Sequence, residues 1–356
     1  MGILSKAHRI PAALLGAYIG LLVLLAMPPV QRMLVYMHVF HWPLFAEFDK
    51  PQSYGLAPFK TRDMELTTPD GETLGVWHVL PSSVYHDAAE EFPPTSSFSD
   101  EVFDAAFRAR PTIIYLHGNT ASRAVSRRVR SYSAFSTYLD CNVVVIDYRG
   151  FADSTGKPTE GGLLIDARTA FDYVYERNGN RADQIVLIGQ SLGTGVASGL
   201  SGLLADDGIT PRALVLIAGF TSIRDILLTY KLFNVIPVLS PLRLIPSLHN
   251  FASKLLLHPF DSPAALSRTS LPVLLIHAAD DPVIPNTHST RIFELLRTSA
   301  SPAREIQYDG WGVVRSYERQ GKGEVVWWDG LTGGHDDVGW AEGTMDLIKR
   351  VAQIDQ

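Results

Sequence analysis

Gly189-Gln190-Ser191-Leu192-Gly193 decides the fold. The five residues follow an apolar run at 184–188 and open a stretch of helical spacing from Ser191 to Leu204. Strand, tight turn, helix is the setting that lifts a nucleophilic serine clear of the top of a sheet. In so sharp a turn, side chains before and after the serine meet the neighbouring backbone, and glycine avoids the collision. Gly189 and Gly193 supply that freedom. The backbone N–H of Leu192, at the helix N-terminus, then points at charge developing on an attacked carbonyl oxygen. Gly195, Ala197 and Gly199 keep the helix slim against its neighbours. Ser191 is the candidate nucleophile and Leu192 the candidate for one oxyanion donor.

Three further stretches complete the constellation. Tyr115-Leu116-His117-Gly118-Asn119 ends an apolar run, where a second oxyanion N–H is needed. Asn119 is the expected donor and Thr120 the alternative. His117 precedes the serine at a strand end and is expected to be structural, bonded to nearby backbone. His277-Ala278-Ala279-Asp280-Asp281-Pro282-Val283-Ile284-Pro285 follows the run 272–276 and offers an acid to orient the base. Asp281, fixed by the Pro-Val-Ile-Pro turn after it, is preferred over Asp280, which reads as a turn or cap residue. Gly333-Gly334-His335-Asp336-Asp337 lies just before the last helical stretch. Of the eleven histidines, only His335 combines a glycine loop, a terminal helix and a place after the acid. Asp336 and Asp337 are expected to favour the N-terminus of the helix that follows. Asp147-Tyr148-Arg149-Gly150-Phe151 ends another strand, and Arg149 is expected to pair with a buried acid there.

Short β-branched runs alternate with helical spacing from 112 to 351, which predicts a mostly parallel sheet with helices on both faces. Strands are expected at 112–116, 142–147, 184–188, 213–217, 272–276 and 325–328. Helices are expected at 123–139, 162–177, 191–204 and 338–351. An antiparallel hairpin precedes them, turning at Pro69-Asp70-Gly71. With Ser191, Asp281 and His335 in that chain order, the expected fold is the α/β-hydrolase fold. The segment 221–263, rich in Leu, Ile, Phe and Pro, sits where a helical cap is inserted. The Ser/Pro/acid-rich stretch 81–111 reads as an insertion or a mobile loop, and it and the Trp-bearing stretch 309–332 are read as lids.

The 356 residues carry a net charge of −6 with no basic stripe, which argues against a nucleic-acid partner. The single cysteine, Cys141, excludes an internal disulfide and a Cys-rich zinc site. No metal, cofactor or obligate protein partner is expected. Ile10 to Met27 is apolar, closed by Pro28 and Pro29, and near the ~30 Å span of a bilayer core. It lacks a clear small-x-small cleavage site, so an anchor is preferred to a signal peptide. Lys6, His8 and Arg9 before it predict a cytosolic N-terminus and a domain across the membrane. Residues 1–30 are thus read as a single-pass anchor, 31–60 as a juxtamembrane segment and 61–356 as the hydrolase domain. Met33 to Phe48 suits either the membrane interface or packing on the domain.

At these residues the chain resembles a family: the membrane-anchored monoacylglycerol and lysophosphatidylserine lipases, typified by alpha/beta-hydrolase domain-containing protein twelve and its fungal relatives. The matching stretches are 74–81 (Leu-Gly-Val-Trp-His-Val-Leu-Pro), 115–119, 147–150, 191–197 and 277–285. The resemblance implies a serine-ester mechanism, no metal, an endoplasmic-reticulum membrane anchor and single-chain glycerolipid substrates. Carried over by position, its triad is Ser191, Asp281 and His335. Gln190 departs from the pattern, since relatives often carry His there, and this departure, like the enlarged stretches 82–110 and 309–332, is expected to bear on substrate choice and access. The rival readings are an acyl-protein thioesterase or a peptidase of the same fold, and a non-catalytic membrane interaction module. The chain has no N-terminal Cys cluster to be lipidated, which weighs against the first.

Overall fold

Two antiparallel strands, β1 (Thr61–Thr67) and β2 (Thr73–Val79), open a ten-stranded sheet of order β1-β2-β4-β3-β5-β6-β7-β10-β9-β8. The computed structural model describes residues 9–229, 254–297 and 302–354. The parallel centre consists of β3 (Thr112–Leu116), β4 (Asn142–Ile146), β5 (Ile185–Gln190), β6 (Ala213–Ile217), β7 (Val273–Ala278) and β10 (Lys322–Gly330). Every residue of β3 to β7 is buried, as continuous β-branched runs require when both faces are covered.

The period of two divides these strands between two cores. Ile114, Leu116, Leu187, Leu216 and Leu275 face one side; Ile113, Tyr115, Ile188, Val215 and Ile276 face the other. On the N-terminal side of the chain come α1 (Arg9–Ala26), α2 (Pro28–Tyr36), α3 (Ser82–Asp87) and α4 (Asp100–Ala109). α5 (Ser126–Tyr138) and the last helix cover the second core, whereas α6 (Glu160–Arg177) and α7 (Leu192–Asp206) cover the first. α8 (Ile223–Thr229), α9 (Ser262–Leu266), α10 (Thr287–Leu296) and α11 (Glu342–Val351) complete the set. The strands and helices expected from residue 112 onward are present, with ends moved by a few residues; the last helix is preceded by a 3-10 turn at Asp337–Trp340.

Two expectations need correction. Of the two readings of the stretch 81–111, the mobile loop fails, since helices occupy its two ends. These are α3 and α4, and α4 buries Phe103, Ala106 and Phe107 along one helical stripe. Phe107 stacks on His78 of β2 with ring centroids 4.2 Å apart. The stretch 309–332 is sheet. β8 (Arg304–Tyr308) and β9 (Gly312–Arg319) pair antiparallel and extend β10 outward. Trp327 and Trp328 are buried on opposite faces, and Trp311 stacks on Trp328 at 4.5 Å. These tryptophans fill the core, so they cannot serve as a lid.

The segment that follows α1 both docks and projects. Gln31, Val35 and Tyr36 are buried against the domain, whereas Val39, Phe40, Trp42, Leu44 and Phe45 are exposed. α1 is long and apolar enough to cross a membrane, and none of its residues is buried. Lys6 and His8, on which the expected sidedness rests, lie outside the described residues. So does most of the expected cap: α8 and α9 are described near its two ends, and Ile226 and Leu227 of α8 pack on the core, while residues 230–253 are not described.

Candidate active site

β5 delivers Ser191 at φ 52° and ψ −122°, a left-handed geometry that costs about 1–3 kcal/mol and persists only where neighbours enforce it. The Ser191 N–H donates to Ile217 O of β6 at 2.9 Å, which pins the turn. The flanking glycines are obligatory. A Cβ on Gly193 would lie 1.9 Å from Leu116 O, and one on Gly189 would lie 2.3 Å from Gly193 O. Leu192 is the first residue of α7, so its N–H has no partner inside the helix.

The acid and the histidine meet across the ends of β7 and β10. Asp281 Oδ2 lies 2.8 Å from His335 Nδ1. Its other oxygen, Oδ1, accepts the N–H groups of Val283 and Ile284 at 2.7 and 2.9 Å. The Pro-flanked turn thus aims one oxygen at the ring by holding the other. Burial pushes the Asp281 carboxyl up, but the histidines His277 and His335 outweigh it and hold it below the usual carboxylate range. Asp280 has the turn role read for it: its Oδ1 accepts Gly334 N–H at 2.8 Å and fastens the histidine loop. Gly333 and Gly334 in that loop have φ of 125° and 55°, which glycine tolerates.

Gln190 joins this loop to the serine turn. Its side-chain N–H donates to His335 O at 3.3 Å, and its Oε1 accepts the buried Tyr115 hydroxyl. The substitution expected to affect substrate choice is therefore buried and places the His335 backbone beside Ser191. Among the described residues no hydrogen bond joins Ser191 Oγ to the His335 ring; such contacts often close only around substrate.

The second candidate oxyanion loop lies against the serine. A Cβ on Gly118 would sit 3.1 Å from Ser191 Cβ. Asn119 and Thr120 are separated by their hydrogen bonds. Thr120 N–H donates to Tyr36 O at 2.9 Å, and its neighbours Ala121 and Ser122 donate to Phe40 O and Trp42 O. Among the described residues Asn119 N–H makes no such bond, which keeps it, rather than Thr120, as the candidate donor. His117 Nδ1 is 2.6 Å from Gly118 O, as expected of a structural histidine, and its Nε2 lies 3.1 Å from buried Asp147. Arg123, also buried, binds Asp147 and Asp153 below the loop. Arg149 pairs with the buried Asp166 at 2.8 Å, whose carboxyl burial pushes up to about 6.

Three contributors were given no role in the site from sequence. Arg128 is buried on α5, and its guanidinium donates to the carbonyls of Gly118, Asn119, Thr120 and Ser122 at 2.8–3.0 Å. His277 lies beneath Asp281, with Nε2 3.2 Å from Oδ2. Its Nδ1 meets Ser289 Oγ at 2.8 Å. The third is the Tyr36–Trp42 backbone. Of these, His277 was within reach, since it heads the 277–285 stretch. In the expected helix start, Asp336 instead pairs with Arg127 at 3.0 Å, and Asp337 accepts from the Trp340 ring N–H. Among the described residues no group of three or more His, Cys, Asp or Glu is arranged to hold a metal.

The sequence and the fold have counterparts among known proteins. Residues 111–231 match the family model of the alpha/beta hydrolase fold. The lysophosphatidylserine lipase ABHD12 of Danio rerio is 32% identical over 305 residues, covering 84% of this chain and 75% of the relative. The lysophosphatidylserine lipase ABHD12 of Rattus norvegicus is 33% identical over 312 residues, covering 85% and 72%. Among solved structures, an alpha-beta hydrolase from Vibrio vulnificus superposes with a TM-score of 0.60 at 15% identity, covering 92% of each chain, a likeness of fold.

Proposed function

The chain belongs to the ABHD12 family of α/β-hydrolases, and from that premise we propose a membrane-anchored serine hydrolase that cleaves carboxylic esters of single-chain glycerolipids, lysophospholipid or monoacylglycerol. The observation that carries the reading is the 2.8 Å contact of Asp281 with His335, on a loop tied by Gln190 to the strained turn of Ser191.

In this reading His335 takes the Ser191 proton as Oγ attacks the ester carbonyl. Asp281 fixes the Nδ1–H tautomer and stabilises the imidazolium. The Leu192 and Asn119 N–H groups receive the oxyanion, each contributing on the order of 3 kcal/mol of barrier lowering. The alcohol leaves with the proton from His335, and water activated by His335 releases the fatty acid from the acyl-serine. α1 supports anchoring, because lipid substrate and active site then share one surface. The family resemblance supports the endoplasmic reticulum as the membrane concerned. A complete nucleophile, base, acid and oxyanion set weighs against a non-catalytic module.

Activity-based labelling with a fluorophosphonate, followed by a lipid panel on the same membranes, tests this. Wild type should label and turn over monoacylglycerol or lysophospholipid, and Ser191→Ala should do neither. Labelling without lipid turnover would move the substrate to acyl-proteins or small esters. Hydrolysis intact in Ser191→Ala would sink the mechanism.

A further inference from the structure

We propose that residues 36–45 form a strap seated in the bilayer surface, and that this seating holds the oxyanion loop in its working geometry. The inference rests on Ser191 as nucleophile and Asn119 as oxyanion donor.

The inner side of the strap is backbone. Tyr36 O, Phe40 O and Trp42 O accept the N–H groups of Thr120, Ala121 and Ser122 at 2.9, 3.0 and 3.1 Å. Trp42 O also accepts the Ser122 hydroxyl at 2.9 Å. Thr120 and Ala121 have φ of 59° and 56°, unfavourable for residues with a Cβ and above all for a β-branched one. Such geometry persists only where its surroundings impose it. Arg128 holds the carbonyls of this loop from within, and the strap holds its N–H groups from outside. Asn119 is the residue next to Thr120. A strap that lets go of Thr120 therefore frees the candidate donor.

The outer side is apolar side chain. Val39, Phe40, Trp42, Leu44 and Phe45 are 54–97% exposed. Five large apolar groups in seven residues exceed the scattered exposure of an ordinary surface. Their occupant follows from continuity. The strap runs on from α1, the one span candidate among the described residues, through the short α2, where Met33 and Leu34 are also exposed. Aromatic rings favour the headgroup level. The first acidic residue of the whole chain is Glu47, just past the strap, so nothing before it repels lipid phosphates. The patch extends to the far end of the cap: Gln31 binds Leu255 O at 2.9 Å and Leu257 N–H at 3.0 Å, and both leucines are exposed. One helix, buried along Gln31, Val35 and Tyr36, thus ties span, cap end and oxyanion loop together.

The full-length chain in phosphatidylcholine nanodiscs gives the test. Cys141 is buried, so a bimane probe can be attached at Phe45→Cys and its quenching by shallow nitroxide-labelled lipid compared with nitroxide-free discs. Quenching is expected. In parallel, wild type and Phe40→Ser/Trp42→Ser/Phe45→Ser are compared on water-soluble p-nitrophenyl butyrate, which need not be drawn from the membrane. The triple variant should lose about tenfold or more in kcat with KM nearly unchanged, the mark of a misplaced transition-state donor. Ser122→Ala, which leaves the outer side chains intact, should lower kcat in the same direction while Phe45 stays quenched, and it serves where the triple variant misfolds. An unquenched probe, including one covered by a protein partner, overturns the proposal, and so does an unchanged kcat in both variants. Fluorophosphonate labelling of wild type separates the two levels: a chain that labels but ignores the strap variants loses only the strap, whereas one that never labels loses the nucleophile it serves.

Discussion

Asp281 touches His335 at 2.8 Å through Oδ2, while adjacent Asp280 accepts the backbone N–H of Gly334. Two consecutive carboxylates therefore separate into one facing the imidazole and one fastening the loop that carries it. Asp281→Asn should lower kcat by about 10⁴-fold, because an amide favours the wrong tautomer. Asp280→Asn should cost no more than about tenfold, since the amide oxygen can still accept the Gly334 N–H. Steady-state rates on a soluble ester decide, and a larger loss from Asp280→Asn would reverse the assignment.

Arg128 gives a second prediction. Its guanidinium is buried and donates to four carbonyls of the loop 118–122. Arg128→Met removes the donor that Asn119 O and Thr120 O take, whereas Gly118 O keeps His117 Nδ1 and Ser122 O keeps the Val125 N–H. The loss is about 1–3 kcal/mol for each carbonyl left unpaired that water cannot reach. A fall of several degrees in melting temperature is expected. Arg128→Lys keeps the charge but not the planar fork, and should restore part of the stability while kcat stays at least tenfold down. Full activity in both variants would show that the loop holds itself.

Glycine content alone misleads, and a matched pair shows why. Gly193→Ala drives a Cβ to 1.9 Å from Leu116 O, so β3 and α7 must separate. No active folded protein is expected from it. Gly161→Ala, in the first turn of α6, meets nothing within 4 Å. It should be neutral or stabilise by about 0.4–1 kcal/mol through the unfolded state. Expression level, fluorophosphonate labelling and melting temperature would separate the two.

The central sheet was legible because buried parallel strands are written as unbroken runs, such as Thr112–Leu116 and Ala213–Ile217. The elbow was legible because its glycines answer a steric demand local in sequence. α4 was hidden by polar context: Phe103 and Phe107 have helical spacing but follow a Pro/Ser stretch that reads as loop. β8 was hidden as an edge strand, with four of its five residues exposed and so no apolar face to betray it. The segment Met33 to Phe48 was legible as apolar and aromatic, but its hold on the loop 120–122 was not, for a deeper reason. Its contacts to Thr120, Ala121 and Ser122 are made by carbonyl oxygens, which every residue possesses.

His78, in the Gly-Val-Trp-His stretch, supplies the last prediction. It is fully buried in β2, stacked on Phe107. Asn142 Nδ2 donates to Ala106 O, which turns its Oδ1 toward His78 Nε2 at 2.9 Å. Nε2 therefore carries the proton, and among the described residues Nδ1 has no partner. Protonating Nδ1 would bury a charge and an unmet donor, and burial, aided by Arg62, pushes the imidazole pKa down to about 3. The unfolded value is about 6.5. Between these limits the unfolded chain binds the extra proton, so this contribution is complete above pH 6.5. It is lost as pH falls toward 3, at up to about 1.4 kcal/mol per pH unit. Other buried histidines add slopes of the same sign, so the comparison must be with a single variant. His78→Phe keeps a ring against Phe107 and cannot titrate. At pH 7.5 it should be less stable by about 1 kcal/mol, having lost the bond to Asn142. By pH 5 the gap should close or reverse. Denaturation midpoints of both proteins at pH 7.5, 6 and 5 check this, and parallel curves across that range would mean that His78 is not the buried group that acid charges.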